Sequence, residues 1–237
     1  MYNMLNAKRR SNKMIKTILF DFDGTLVNTN EIIKLTLNEI SIKYAGKELV
    51  EKDFDDMLGK PLKNQMAPIY GLSGDELKSN YPEFFTLYRE LYNSRRDDLT
   101  KEFDGVAEML ETLYNEGIAM GIVSSKGTDG IRHGLEKFGL SKYFSIVLSK
   151  YDVEKSKPHP EGILKAMKHL DSNTENTIFV GDSRHDLLAA KNAGVPFVLV
   201  AWTIAGYEKL KAMNPEYIIE SPMEMIDIIK ACGGIEK

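Results

Sequence analysis

Two pairs of aspartates stand where this chain could do chemistry. The apolar run IKTILFDFD (15–23) ends in Phe20-Asp21-Phe22-Asp23, with Gly24 and Thr25 behind it. Side chains alternate across a strand, so Asp21 and Asp23 project to the same side. Two close carboxylates at a strand end repel each other and lose hydration, which is costly unless a cation offsets them. Gly24 permits close backbone approach and Thr25 adds a hydroxyl. The second pair follows Ile178-Phe179-Val180, in Gly181-Asp182-Ser183-Arg184-His185-Asp186. Asp182 is expected at a strand end and Asp186 one helical turn later. Capping of the next helix would explain an Asp or Ser at this point. It does not explain acids at both 182 and 186. Hard oxygen ligands gathered from several strand ends suit Mg²⁺, which keeps some waters and accepts phosphate oxygens.

Two further strand ends add donors. Ser124, Ser125 and Lys126 follow Val123 and offer hydroxyls and backbone N–H groups. No adjacent base marks Ser124 as a nucleophile, so it reads as a phosphate donor. In Lys155-Ser156-Lys157-Pro158-His159-Pro160, Lys157 is a compact charge able to neutralise a phosphoryl oxygen, and the prolines stiffen its loop.

The elements that must position these residues are legible as six apolar runs, at 15–23, 117–125, 143–149, 176–183, 196–202 and 217–221. Near-continuous apolar character predicts strands buried on both faces. Helical spacing separates them: Val106, Met109, Leu110 and Leu113 share one face, and so do Ile163, Ala166, Met167 and Leu170. A third helix over 184–193 should end at Gly194. The alternation predicts an α/β fold, a doubly wound parallel sheet over 14–27 and 101–237. Block 28–100 breaks the pattern. Ile33, Leu37, Ile40 and Tyr44 mark a helix closed by Gly46; Phe54, Met57 and Leu58 a second; Leu62, Gln65, Met66 and Ile69 a third; Phe84, Tyr88 and Leu91 a fourth. This is too long for a βα loop and is expected to be a small helical domain on linkers near 26–28 and 99–104.

Composition excludes several function classes. The 237 residues carry 35 acidic and 31 basic side chains, for a net charge of −4, with the two signs interspersed. A nucleic-acid binder would show a basic excess or stripe. Apolar residues at 43% and charged residues at 28% match a globular protein, not a disordered one. The single cysteine, Cys232, allows no intramolecular disulfide and no Cys-type zinc site. No apolar run reaches the roughly 18 residues of a membrane span. Residues 1–13, including Lys8-Arg9-Arg10, lack the apolar segment of a signal peptide and are expected to be a frayed tail. The expectation is a cytoplasmic protein, monomer or homodimer, with no nucleic-acid or membrane partner.

In four motifs, taken in order, the chain resembles the haloacid dehalogenase superfamily of phosphohydrolases: DFDGT (21–25), Ser124 after a strand, Lys157 before Pro158, and GDSRHD (181–186). The resemblance covers about 14–221. It implies a Rossmann-like core, with 28–100 as a helical cap inserted after the first strand. It implies Asp21 as a nucleophile that forms an aspartyl phosphate, and Asp23 as general acid, then general base. Ser124 and Lys157 would hold the phosphoryl group, with Gly24, Thr25 and Ser125 around it. Mg²⁺ would be bound by Asp21, the Asp23 backbone carbonyl and Asp182, with Asp186 in support. GTLVNTNEII (24–33) and WTIAG (202–206) look most like the pyrophosphatase branch, and Leu58-Gly59-Lys60-Pro61-Leu62 like the phosphoglycolate phosphatases. Lys60, a charge between Gly and Pro, is a candidate to reach the substrate. The expected partner is a small phosphorylated compound, first a phosphoglycolate-like monoester, with pyrophosphate the alternative. A β-phosphoglucomutase-type transferase comes next and a receiver-like phospho-aspartate module last.

Overall fold

The computed structural model describes residues 14–57, 62–71 and 74–234. Six strands form one parallel sheet: β1 (Thr17–Phe20), β4 (Ala119–Val123), β5 (Ile146–Leu148), β6 (Thr177–Gly181), β7 (Phe197–Val200) and β8 (Tyr217–Ile219), in the order β5-β4-β1-β6-β7-β8. All five pairings are parallel. They fall where the six apolar runs placed them. Both faces of the sheet are covered. Ile18, Phe20, Ile122, Val180 and Val198 pack on one side with Leu110 and Leu113 of α5 (Val106–Asn115) and with Ile226 and Ile229 of α10 (Glu224–Ala231). Leu19, Phe179, Phe197 and Leu199 pack on the other with Ile163 and Met167 of α7 (Glu161–His169) and Leu187 of α8 (Arg184–Ala193). This two-sided burial explains why the strands read as continuous apolar runs rather than alternating ones.

The strand order sets the place of the site. From β1 the chain builds outward to β4 and β5, then crosses back to β6 on the other side of β1. Open α/β sheets bind ligands outside the carboxyl ends of the strands at such a reversal. The register makes this specific: Phe20 lies beside Ile122 on one side and Val180 on the other. The residues that follow each strand, Asp21, Ser124 and Asp182 among them, therefore emerge together.

Among the described residues, the stretch 30–99 forms four helices: α1 (Asn30–Ala45), α2 (Glu51–Met57), α3 (Leu62–Tyr70) and the 26-residue α4 (Gly74–Leu99). They bury apolar groups of their own. Leu37, Phe54, Met57 and Ile69 form one cluster; Ile40, Met66 and Phe84 form another. Gly46 closes α1 in the left-handed region, as its position after the last apolar repeat suggested. The sequence reading missed one feature. The expected linkers pair with each other, as β2 (Val27–Asn28) antiparallel to β3 (Lys101–Glu102). Two-residue strands offer no alternation to read. Of the other readings, Lys60, Leu58 and the tail 1–13 lie outside the described residues. Cys232 is half-buried, its sulfur 3.6 Å from the Tyr217 hydroxyl. No described helix is long and apolar enough to cross a membrane.

Candidate functional site

At the carboxyl edge of the sheet, Asp21, Asp182 and Asp186 offer carboxylate oxygens within 4.8 Å of one another, and all three are buried. Each is fixed from a different element. Asp21 leaves the end of β1, where its backbone N–H donates to the Val180 carbonyl. Asp182 follows β6, and the Thr203 hydroxyl donates to its carbonyl at 2.7 Å. Asp186 lies in the first turn of α8 and forms a capping box with Ser183. The Ser183 N–H and hydroxyl both donate to Asp186 Oδ2, at 3.0 and 2.5 Å. Capping and clustering therefore coincide in one residue.

Lys157 is the cation of this cluster. Its Nζ lies 2.8 Å from Asp21 Oδ1, 2.5 Å from Asp186 Oδ1 and 3.2 Å from the Val123 carbonyl. The loop that delivers it is tied down: the Glu161 carboxylate accepts from the N–H groups of Glu154 and Lys155, and Asn192 donates to the Pro158 carbonyl. With both Asp186 oxygens engaged, by Lys157 and by Ser183, Asp186 acts on the cluster mainly by holding Lys157.

Electrostatics show what the cluster needs. Burial pushes Asp21 up to about 7, with Lys157 pulling against it and Asp186 adding to it. Asp182 is raised as well, first by burial and then by Asp186 and Asp21. Burial pulls the Lys157 ammonium down, but Asp186 and Asp21 outweigh it and hold the group above the ordinary lysine value. Three buried carboxylates face one ammonium, a deficit of two positive charges. A divalent cation bound by hard oxygens matches that deficit in both charge and ligand type.

Gly24 is required by this geometry. Its φ is 77°, and a Cβ there would lie 2.3 Å from Asp182 Oδ2. Gly24→Ala must swing the Asp182 carboxylate aside and strain the backbone, for about 1–3 kcal/mol of lost stability. Because Asp182 is displaced, metal affinity is expected to fall roughly 10–100-fold. A calorimetric metal titration matching the native protein would contradict this account.

The other predicted residues divide. Asp21, Asp23, Ser124, Ser125, Lys157 and Asp182 line a single cavity of about 230 Å³ between the sheet edge and the inserted helices. Gly24 and Thr25 do not line it. Thr25 is buried, and its carbonyl accepts from the Trp202 indole at 3.3 Å. Its hydroxyl has no hydrogen-bond partner among the described residues. Ser124 Oγ accepts from the Lys126 N–H.

Sequence reasoning missed two groups. Lys126 was read only for its backbone, yet its Nζ lies 2.8 and 3.1 Å from the two Asp23 oxygens and 2.9 Å from the Tyr92 hydroxyl. Tyr92, on α4, was not singled out, since an aromatic at helical spacing reads as core. The second is the bracing role of segment 202–206, singled out in the sequence only for its likeness: Trp202 and Thr203 hold the loops after β1 and β6. Its five-residue likeness to the pyrophosphatases was the available signal.

Comparison with known proteins agrees with this geometry. The model of the haloacid dehalogenase-like hydrolase family matches residues 18–200. A pyrophosphatase PpaX from Bacillus mycoides is 33% identical over 93% of this chain and 99% of its own. Another from Halalkalibacterium halodurans is 36% identical over 91% and 97%. Among solved structures, a predicted phosphatase from Clostridium acetobutylicum superposes with a TM-score of 0.78 at 25% identity, covering 92% of this chain and 99% of its own. A predicted phosphoglycolate phosphatase from Haemophilus somnus gives 0.77 at 24% identity, over 91% and 98%, and shares the fold.

Proposed function

The chain belongs to the haloacid dehalogenase-like hydrolase family and is a phosphatase of it; on that premise we propose that it hydrolyses a small phosphate compound with Mg²⁺, through an aspartyl phosphate on Asp21. One observation carries the reading. Asp21 shares its buried cluster with Asp182 and Asp186, and among the described residues its only close cation is Lys157, 2.8 Å away. Asp21 Oδ1 takes the Lys157 ammonium, and Asp21 also lines the cavity.

In the first half-reaction an Asp21 oxygen attacks phosphorus. The bond to the leaving oxygen breaks, and that oxygen keeps the electron pair and takes a proton from Asp23. In the second, water attacks the same phosphorus and gives a proton to the Asp23 carboxylate. Asp21 departs as a carboxylate and orthophosphate is released. Lys157 and Ser124 hold the phosphoryl oxygens. Mg²⁺, when bound by Asp21, Asp182 and the Asp23 carbonyl, would supply the charge that lets an anionic substrate approach four acids. Helices α1–α4 act as a cap over the cavity, with 28–100 as one domain and the paired β2–β3 ribbon as its hinge. A lid on such a cavity excludes bulk water and admits only small substrates.

Among substrates we place inorganic pyrophosphate first. The support is the name shared by relatives that are 33% and 36% identical over more than nine-tenths of both chains. This reverses the order drawn from sequence, which put a phosphoglycolate-like monoester ahead. The test is kcat/KM for pyrophosphate, phosphoglycolate, p-nitrophenyl phosphate and a hexose 1-phosphate, each with Mg²⁺ and with excess chelator. Pyrophosphate is expected to lead, and chelator to abolish every activity. Chelator-resistant hydrolysis would refute the metal, and isomerised sugar phosphate would point to a mutase.

A further inference from the structure

Lys126 does more in this structure than its place after Ser124-Ser125 requires. Its side chain is only 15% exposed, at the floor of the cavity. It holds both oxygens of Asp23, at 2.8 and 3.1 Å, and its third partner is the Tyr92 hydroxyl at 2.9 Å. Tyr92 comes from α4, in the inserted helices, whereas Lys126 and Asp23 follow strands of the sheet. The ammonium is thus shared between the two parts of the molecule.

The surroundings are shaped to keep it there. A Cβ at Gly130 would lie 2.6 Å from Lys126 Cε, so the glycine in α6 (Thr128–Lys137) leaves a channel for the lysine stem. The Tyr92 ring faces the ammonium, whose nitrogen is 4.7 Å from the ring centroid. That ring stacks on Tyr88 with centroids 5.8 Å apart. Three hydrogen bonds and an aromatic face satisfy a lysine that is mostly removed from water.

Asp23 itself has few other restraints. Among the described residues its side chain has no hydrogen-bond partner but Lys126. A carboxylate on a loop gains a fixed direction only from what it binds, and acid–base catalysis depends on that direction. We infer that Lys126 is a positioning residue for Asp23, and that Tyr92 locks it there when α4 is seated over the cavity. The acid–base group is then aimed only with the cap in place. This rests on the reading of Asp23 as the group that protonates the leaving oxygen.

Leaving-group dependence tests it, because a group that delivers a proton to the departing oxygen matters most when that oxygen departs poorly. The readout is kcat/KM over aryl phosphates from p-nitrophenyl to phenyl, at saturating Mg²⁺. Lys126→Met is expected to lose about tenfold with p-nitrophenyl phosphate and about 10²–10³-fold with phenyl phosphate, steepening the dependence. Tyr92→Phe keeps the stacked ring and removes only the hydroxyl, so it should fold and shift the slope the same way by less. An equal loss across the series, or a loss confined to KM, would overturn the inference and leave Lys126 as a structural or phosphate-binding group. Asp23→Asn distinguishes the premise from the inference. A native slope in that variant would overturn the reading of Asp23, and the inference with it. Wild-type protein inert toward the whole series and toward pyrophosphate would overturn the phosphatase reading beneath both.

Discussion

Asp21→Asn is expected to abolish turnover while leaving the metal-free fold at least as stable as the native one. The loss of kcat is expected to be on the order of 10⁴–10⁶-fold, as for removal of other covalent nucleophiles. Asparagine keeps the shape and can still accept from Lys157, so the change is chemical. The stability effect follows from linkage. Asp21 is raised from 3.8 in the unfolded chain to about 7 in the fold. The native state therefore binds the extra proton, and its contribution is present below about pH 4 and lost as pH rises through about 7. Asp182 is raised in the same direction and adds to the effect. With chelator present, the native protein should lose melting temperature between pH 5 and 8. Asp21→Asn should lose less, and should melt roughly 2–8 °C above the native protein at pH 8. Adding Mg²⁺ should reverse the order, because the cation stabilises the native carboxylate and not the amide. Residual activity within tenfold of native, or a metal-free variant that melts well below native at pH 8, would sink this account of Asp21.

The same two aspartates show how far sequence could go. Asp21 and Asp182 were legible because each ends a long apolar run, and strand geometry fixes where the next side chain emerges. The sheet was legible for a related reason: strands buried on both faces, such as Thr17–Phe20 and Phe197–Val200, carry their signal in composition alone. What stayed hidden depends on contacts between distant segments. Lys126 and Asp23 are 103 residues apart, and nothing in either segment announces the other. Tyr92 looks like any aromatic on the inner face of α4 until its hydroxyl is seen against an ammonium. Thr25 shows the opposite failure. Its place in a motif suggested a phosphate donor, yet the residue is buried in the turn after Gly24 and its hydroxyl has no hydrogen-bond partner among the described residues. The β2–β3 ribbon was missed because two residues carry no period. Spacing along an element is local information, whereas the partners of a buried charge are not.

Lys157→Met is expected to damage stability and catalysis together, with the damage to the fold depending on pH and metal. Methionine matches the length of the lysine stem and can still pack on the Phe179 ring, 5.7 Å from the present ammonium. What it removes is the ammonium held against Asp21 and Asp186, at 2.8 and 2.5 Å. Breaking a buried pair from one side costs about 3–5 kcal/mol, since the partner charges stay behind. Here two remain, and Asp186 also caps α8 through Ser183, so its release should loosen the loop that carries Asp182. The sign with pH follows. Without Lys157, which pulls Asp21 down, the Asp21 carboxyl rises further, so the variant regains stability as pH falls and that group protonates, and is weakest near pH 8. Mg²⁺ should restore part of the loss, because it repays the same charge deficit. It should not restore rate, because the phosphoryl oxygens still lack their ammonium; kcat/KM is expected to remain down about 10³-fold. Lys157→Arg should recover little of either, since a planar guanidinium cannot occupy the space of a compact ammonium wedged between Asp21, Asp186 and the Val123 carbonyl. Thermal melts at pH 5 and 8, each with chelator and with Mg²⁺, separate the two effects. A variant that melts with the native protein at pH 8 in chelator would mean that Lys157 does not neutralise this cluster.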